Sequence, residues 1–230
     1  MPILVGIDGT GGGTFRSGAR DKRYDADFAH SFVRRLCPEG RIDGKYFRGP
    51  VSLGGGLVDA VDQGFEFIKA RNAAKPSLAV LLTGYSRGAA GVVAIAKRLK
   101  GASIDVRALL MFDCVDRHLF IDAEIIPNNV AYVMHVIRDP RSKSRGSFGN
   151  DGLVYTTPTI YPAPRPFLCT HGGMGGTPWL PEPKQSANDL IEESFPDGKT
   201  TITFAEDARV SQLVWNFVQP FCATHGFVGG

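Results

Sequence analysis

No run in the sequence reaches the roughly 18 apolar residues that a membrane-spanning helix needs, so no transmembrane segment is expected. The opening residues, Met1 to Asp8, lack a basic stretch and a cleavage site, and their apolar run is too short for a signal peptide. A cytoplasmic protein is expected, with export by a machine that needs no cleaved signal left open. Cysteine is sparse. Cys37, Cys114, Cys169 and Cys222 form no CxxC pair, which excludes a disulfide framework and suits buried thiols in a reducing compartment. Neither sign of charge dominates: 26 Lys and Arg against 23 Asp and Glu leave a net charge of +3. The densest basic group is Arg138, Arg141, Lys143 and Arg145, too little to predict a nucleic-acid partner. No His, Cys or Asp cluster has ligand spacing, so neither a metal nor a cofactor is expected. Internal repeats, low-complexity tracts and clear linkers are also missing.

What the chain does have is glycine, 28 residues of it, and enough apolar content (43%) to bury a full core. Short apolar runs alternate with helical patterns. Residues 3–8 read as a buried strand feeding Gly9-Thr10-Gly11-Gly12-Gly13. Phe28, Phe32, Val33 and Leu36 sit at helical spacing within 25–37, a strand is expected at 45–49, and a helix at 57–71 follows the glycines at 54–56. Val106–Phe112 and Val130–Ile137 read as strands, and Pro166–Thr170 as the last core strand. Residues 141–165 suggest a long loop with a short hairpin, 174–200 a Pro-rich excursion around a short helix at Asn188–Ser194, and 206–218 a final helix. The pattern predicts one α/β domain over residues 1–230, with a mostly parallel sheet and helices on both faces.

One junction carries more information than the rest. The apolar run before residue 84 stops at Gly84-Tyr85-Ser86-Arg87-Gly88, and an Ala-rich helical segment begins at once. Strand, Gly-x-Ser-x-Gly and helix in that order form a nucleophile elbow, in which a sharp turn lifts a serine hydroxyl above the sheet edge. A serine hydroxyl needs a base within hydrogen-bond reach to act as a nucleophile. In α/β hydrolases the chain order is serine, acid, histidine. Ser86, Asp139 at the end of one later strand, and His171 at the end of the next satisfy that order. Asp113 also ends a strand and is the alternative acid. Among the other histidines, His225 in the tail is the runner-up base, His118 a weaker rival, His135 mid-strand a core residue, and His30 lies ahead of the serine. The oxyanion donors expected are the Arg87 N–H and the early loop at Gly9 and Thr10. A phosphate-cradling reading of that loop fails, because it lacks the Gly-Lys-Ser/Thr ending and Asp8 repels phosphate.

These motifs together resemble the DUF2235 family of α/β hydrolases, which includes phospholipase effectors of type VI secretion. The resemblance rests on Ile7-Asp8-Gly9-Thr10, on Tyr46-Phe47-Arg48-Gly49-Pro50 with Gly54 through Phe67, and on the elbow Gly84 through Ala89. Phe112-Asp113-Cys114-Val115, His135 through Asp139 with Arg141, and His171 through Gly176 extend it over residues 3–176. It implies a serine hydrolase of carboxylic esters, possible lipid or phospholipid esters included, with Ser86, Asp139 and His171 as the triad. The family's aspartate two residues after the histidine is here Gly173, and the chain is short beside its lipid-acting relatives. Phe148, Tyr155, Tyr161, Phe167 and Trp179 offer either an acyl pocket with transient membrane contact or ordinary packing. The reading from another class is a catalytically silent hydrolase fold that binds a partner through its glycine loops.

Overall fold

A computed structural model describes residues 1–11, 22–51, 54–119 and 121–227. Gly12 and Gly13 of the early glycine loop lie outside the described residues. Six strands form one parallel sheet: β1 (Ile3–Ile7), β2 (Gly44–Phe47), β3 (Val80–Tyr85), β4 (Val106–Phe112), β6 (Val130–Arg138) and β8 (Arg165–Phe167), in the order β2-β1-β3-β4-β6-β8. Between β4 and β6, β5 (Ile125–Ile126) pairs in parallel with β7 (Val154–Tyr155), and β9 (Leu190–Glu192) pairs antiparallel with β10 (Lys199–Thr203).

Strand residues alternate between two faces, and each face has its own core. Ile3, Val5 and Ile7 of β1, with Leu82, Leu109 and Met111, pack under α3 (Leu57–Ala74) and α4 (Arg87–Gly101). Leu4, Leu81, Leu110 and Phe112 point the other way, toward α1 (Lys22–Asp27), α2 (Phe32–Leu36) and α6 (Phe204–His225). The expected architecture of a parallel sheet with helices on both faces is therefore the observed one.

Several local expectations need correction. The helical pattern at 25–37 is split: Ser31 caps α2, its hydroxyl accepting from the Arg34 N–H at 3.0 Å, so α1 and α2 are separate. No helix forms at Asn188–Ser194. Phe195-Pro196-Asp197-Gly198 makes a turn closed by Glu193 N–H on the Gly198 carbonyl, and Ile191 and Ile202 are buried on one face of the resulting β9–β10 pair. The segment 141–165 holds the 3-10 turns Pro140–Ser142 and Gly146–Phe148, and its strand β7 joins β5 instead of forming a hairpin. The final helix is longer than expected. It starts at the Thr203 cap and ends where Gly226 takes φ 84°, the left-handed stop that favours glycine. No helix among the described residues is long and apolar enough to cross a membrane.

From β1 the chain crosses to β2 on one side, and from β2 it passes back over β1 to β3 on the other. In open parallel sheets the crevice at such a switch lies outside the carboxyl ends of the strands. Gly9 and Thr10 follow β1 and Ser86 follows β3, so both segments meet there.

Candidate active site

Ser86 is the residue between β3 and α4, with φ 57° and ψ −129°. A non-glycine residue at such φ is strained, and the surrounding backbone fixes it. The Ser86 N–H donates to the Phe112 carbonyl (3.0 Å), and its own carbonyl accepts from Val115 N–H (3.2 Å) and Ala89 N–H (3.0 Å). The elbow closes only because residue 88 has no side chain. A Cβ there would stand 2.2 Å from the Asp8 carbonyl oxygen and 2.3 Å from that of Ile7.

His171 opens the short helix α5 (His171–Met174), capped by Thr170. Its Nε2 lies 2.8 Å from Ser86 Oγ, and its Nδ1 lies 2.6 Å from Asp113 Oδ2. All three side chains are nearly buried: Ser86 is 3% exposed, His171 7% and Asp113 0%. The imidazole bridges hydroxyl and carboxylate.

Asp113, not Asp139, faces the histidine. Sheet order supplies the reason. β4 lies directly beside β3, so the residue after it stands next to Ser86, whereas β6 is a further strand away. Asp139 instead turns outward, accepts from Arg141 Nη2 at 2.6 Å and Nε at 3.0 Å, and caps the turn at Pro140 through the Arg141 N–H. Those bonds from Arg141 hold Asp139 below its ordinary range.

Asp113 carries a dense set of donors. Oδ2 also accepts from Arg138 Nη1 (2.6 Å), and Oδ1 accepts from Asn150 Nδ2 (2.7 Å) and the Arg138 N–H (3.2 Å). Burial alone would push this carboxyl up. The His171 hydrogen bond and the charges of His171 and Arg138 outweigh it and hold Asp113 well below the usual carboxylate range. Asp113 also has φ 47°, so two adjacent strands end in strained non-glycine residues that face one histidine.

The loop after β1 supplies the opposite wall. A Cβ on Gly9 would lie 2.5 Å from the Tyr85 ring and 3.3 Å from Ser86 Cβ, so glycine is what lets this backbone approach the serine. Tyr24 ties the loop down, its hydroxyl donating to the Gly9 carbonyl (2.8 Å) and accepting from Gly49 N–H (2.6 Å). The Gly9 N–H donates to Asp8 Oδ1 at 3.0 Å. Thr10 N–H makes no hydrogen bond among the described residues, and Thr10 Oγ1 accepts from Arg87 Nη1 at 3.4 Å. Arg87 is the first residue of α4, where N–H groups have no intrahelical acceptor.

Asp8 is fully buried behind this loop, accepting from Ser31 Oγ and from the Tyr46 hydroxyl at 3.0 Å. Burial pushes it up to about 7 against the pull of these bonds. A second buried carboxylate, Asp207 on α6, accepts from Thr170 N–H (2.6 Å) and Oγ1 (2.8 Å) and so anchors the residue before His171. Burial raises Asp207 to about 6.

The other histidines lie elsewhere. His135 is buried in β6, its Nε2 accepting from Cys114 N–H at 3.2 Å, and burial lowers it to about 4. His225 ends α6 between the rings of Tyr132 (4.6 Å) and Phe221 (4.4 Å), and Tyr132 pairs with Ala108 near the start of β4, the far end of the sheet. His118 packs against Gly54, and His30 is exposed between α1 and α2. Of the aromatic residues singled out above, Phe148 meets His171 edge-on at 5.5 Å, Trp179 lies near Gly172, and Tyr155 packs on Tyr161 at 4.6 Å. Phe167 packs on Phe217 of α6 at 5.5 Å. A groove lined by Val80, Ile104, Val106, Asn129 and Tyr132 opens at the amino ends of the strands, opposite Ser86.

Sequence reasoning missed Arg138, Asn150, Ser144 and Asp207. Arg138 did leave a trace, since it shares a strand face with Val136 and so continues an inward pattern with a charge. Asn150 and Ser144 lie in an aperiodic loop and leave none.

No protein-family model matches the chain. No curated protein matches it. Among solved structures it is similar to the protein Atu2452 of unknown function from Agrobacterium tumefaciens str. C58, at 18% identity over 72% of this chain and 82% of that one, with a TM-score of 0.33. It is also similar to acetyl xylan esterase in an iodinated complex, at 14% identity over 56% of this chain and 70% of that one, with a TM-score of 0.24.

Proposed function

We propose that the chain is a serine hydrolase that cleaves carboxylic esters through an acyl-enzyme on Ser86. The single observation that carries this reading is the His171 bridge, 2.8 Å to Ser86 Oγ and 2.6 Å to Asp113 Oδ2. His171 Nδ1–H donates to Asp113, which leaves the Nε2 lone pair facing the serine hydroxyl. As Ser86 Oγ attacks the ester carbonyl carbon, Nε2 takes its proton and later returns it to the departing alkoxide. Asp113 stays ionised throughout and stabilises the imidazolium. Water then attacks the acyl-enzyme by the same route in reverse, releasing the acid and restoring Ser86.

The developing oxyanion needs donors aimed at it. The N–H groups of Arg87 and Thr10 fill that role in this reading. Gly9 supplies the close approach rather than a hydrogen bond, because its own N–H is held by Asp8. The motif resemblance to the DUF2235 family supports the same chemistry, with Asp113 in place of Asp139 as the acid. Lipid esters fall within this reading, and comparing short soluble esters with vesicles of the same acyl chain separates the two substrate types.

The test is fluorophosphonate labelling of wild type, Ser86→Ala and His171→Ala, with the modified peptide located by mass spectrometry. A label on Ser86 that disappears in both variants is the expected result. A folded wild type that takes no label would overturn the hydrolase reading and favour a silent, partner-binding fold.

A further inference from the structure

Arg138 and His171 share one oxygen of the candidate acid. Arg138 Nη1 and His171 Nδ1 each lie 2.6 Å from the same atom, Asp113 Oδ2. The rest of the guanidinium is directed elsewhere: Nε donates to the Ser144 carbonyl (2.9 Å), and Nη2 donates to the carbonyls of Arg145 (2.9 Å) and Gly149 (2.8 Å). Four of the five N–H donors of this planar fork are thus engaged while the side chain is 5% exposed. The carbonyls it binds belong to the segment that braces His171. Ser144 Oγ accepts from the His171 N–H at 2.8 Å, and Phe148 lies edge-on to its ring.

An orienting carboxylate ordinarily directs its whole negative charge at the imidazole and so favours the imidazolium. Here a full positive charge sits on the same oxygen and opposes it. We infer that Arg138 is a positioning residue that sets the pH profile of the reaction: its charge on Asp113 Oδ2 offsets part of the carboxylate charge that the imidazole faces. The inference rests on the hydrolase reading. Other charged groups surround His171, but among the described residues none of them touches its acid. Asp207 binds Thr170, and Glu193 accepts from Ser144 Oγ and is paired with Arg145. Arg117 and Arg145 lie over the outer Phe148 ring, and Arg87 stands beyond the serine. Tyr85, which donates to the His171 carbonyl, is neutral.

The experiment has two readouts. The first is the rate of fluorophosphonate inactivation against pH for wild type, Arg138→Gln and Arg138→Lys. Removing the charge in Arg138→Gln moves the acid limb to higher pH, about tenfold in rate at a given pH on that limb. Arg138→Lys keeps the charge, so its acid limb stays near that of wild type while its plateau falls with the lost fork bonds. The second readout is the NMR titration of the His171 ring protons, which moves in the same direction in Arg138→Gln whether or not the protein turns over. If Arg138→Gln does not fold, Asn150→Asp places an opposing charge on the other oxygen of Asp113 from a loop position and shifts both readouts the same way. Coincident acid limbs and ring titrations in wild type and the charge-altered variant overturn the inference. A wild type that takes no label while its ring titration responds to the charge rejects the hydrolase reading and keeps the clamp.

Discussion

Converting each strand-end aspartate to its amide separates the two candidate acids. Four donors converge on Asp113: His171 Nδ1, Arg138 Nη1, the Arg138 N–H and Asn150 Nδ2. In Asp113→Asn only one oxygen remains to receive them, and the new amide nitrogen faces at least one donor. If that nitrogen faces His171, the ring proton moves to Nε2 and can no longer leave room for the serine proton. If the oxygen faces His171, the imidazolium still loses its counter-charge. Either way the expected loss in kcat is about 10³ to 10⁴, or about 4 to 5.5 kcal/mol of barrier. The same substitution strands Arg138 as a buried unpaired charge, a destabilisation of about 3 to 5 kcal/mol. Thermal unfolding must therefore be followed alongside ester hydrolysis, with rates corrected for the folded fraction.

Asp139→Asn is the matched control. The Arg141 partner is exposed, and an ion pair of that kind contributes little to stability. Asparagine also remains a good cap for the turn at Pro140. Turnover within about twofold of wild type is expected, with a small fall in Tm. Equal losses in the two variants, or an Asp113→Asn protein that keeps more than about a tenth of wild-type kcat, would refute the assignment of Asp113.

Two further substitutions probe the frame around the serine. Gly88→Ala drives a methyl group to 2.2 Å from the Asp8 carbonyl oxygen, so chemical denaturation should register a loss of more than about 3 kcal/mol; a variant as stable as wild type would remove the steric account of the elbow. Asp8→Asn tests the buried carboxyl. Because folding raises its pKa from the ordinary 3.8 to about 7, its ionisation opposes folding fully above 7, and the penalty fades as pH falls toward 3.8. The Tm of Asp8→Asn relative to wild type should therefore decline as pH is lowered through that window, and a difference independent of pH would be incompatible with a raised Asp8.

The legible parts of the molecule were those written contiguously in the chain. β4 has the bounds its apolar run predicts, and α4 starts at Arg87 as the elbow requires. Which aspartate faces His171 was not legible, because Asp113 and Asp139 both end apolar strands. What separates them is that β4, and not β6, neighbours β3, a fact of sheet order that no local pattern records. The expected helix at Asn188–Ser194 failed because the turn at Pro196-Asp197-Gly198 pairs β9 with β10, and that pairing outweighs local helical tendency. Its consequence reaches the site, since Glu193 beside that turn accepts from Ser144 Oγ at 2.6 Å, and Ser144 Oγ in turn accepts from His171. The split between α1 and α2 has a comparable use. It frees Ser31 both to cap α2 and to bond Asp8.

Strain and burial fall on the same few residues, and both work against stability. Ser86 and Asp113 hold positive φ without being glycine, and Asp8, Asp113 and Asp207 are carboxyl groups with no exposure to water. Such conformations persist only where the surroundings over-determine them, and here the determinants are the sheet's own hydrogen bonds. Ser86 N–H is fixed on Phe112 at the end of β4, and Asp113 N–H on Val136 in β6. Each strained residue is thus locked by the next strand along, and relaxing one would break a rung between strands whose side chains fill both cores. A serine that merely capped α4 would need neither the strained turn nor a buried histidine at 2.8 Å, and its side chain makes no cap bond to the helix. The arrangement is therefore better explained by the demands of a nucleophile than by those of a helix end.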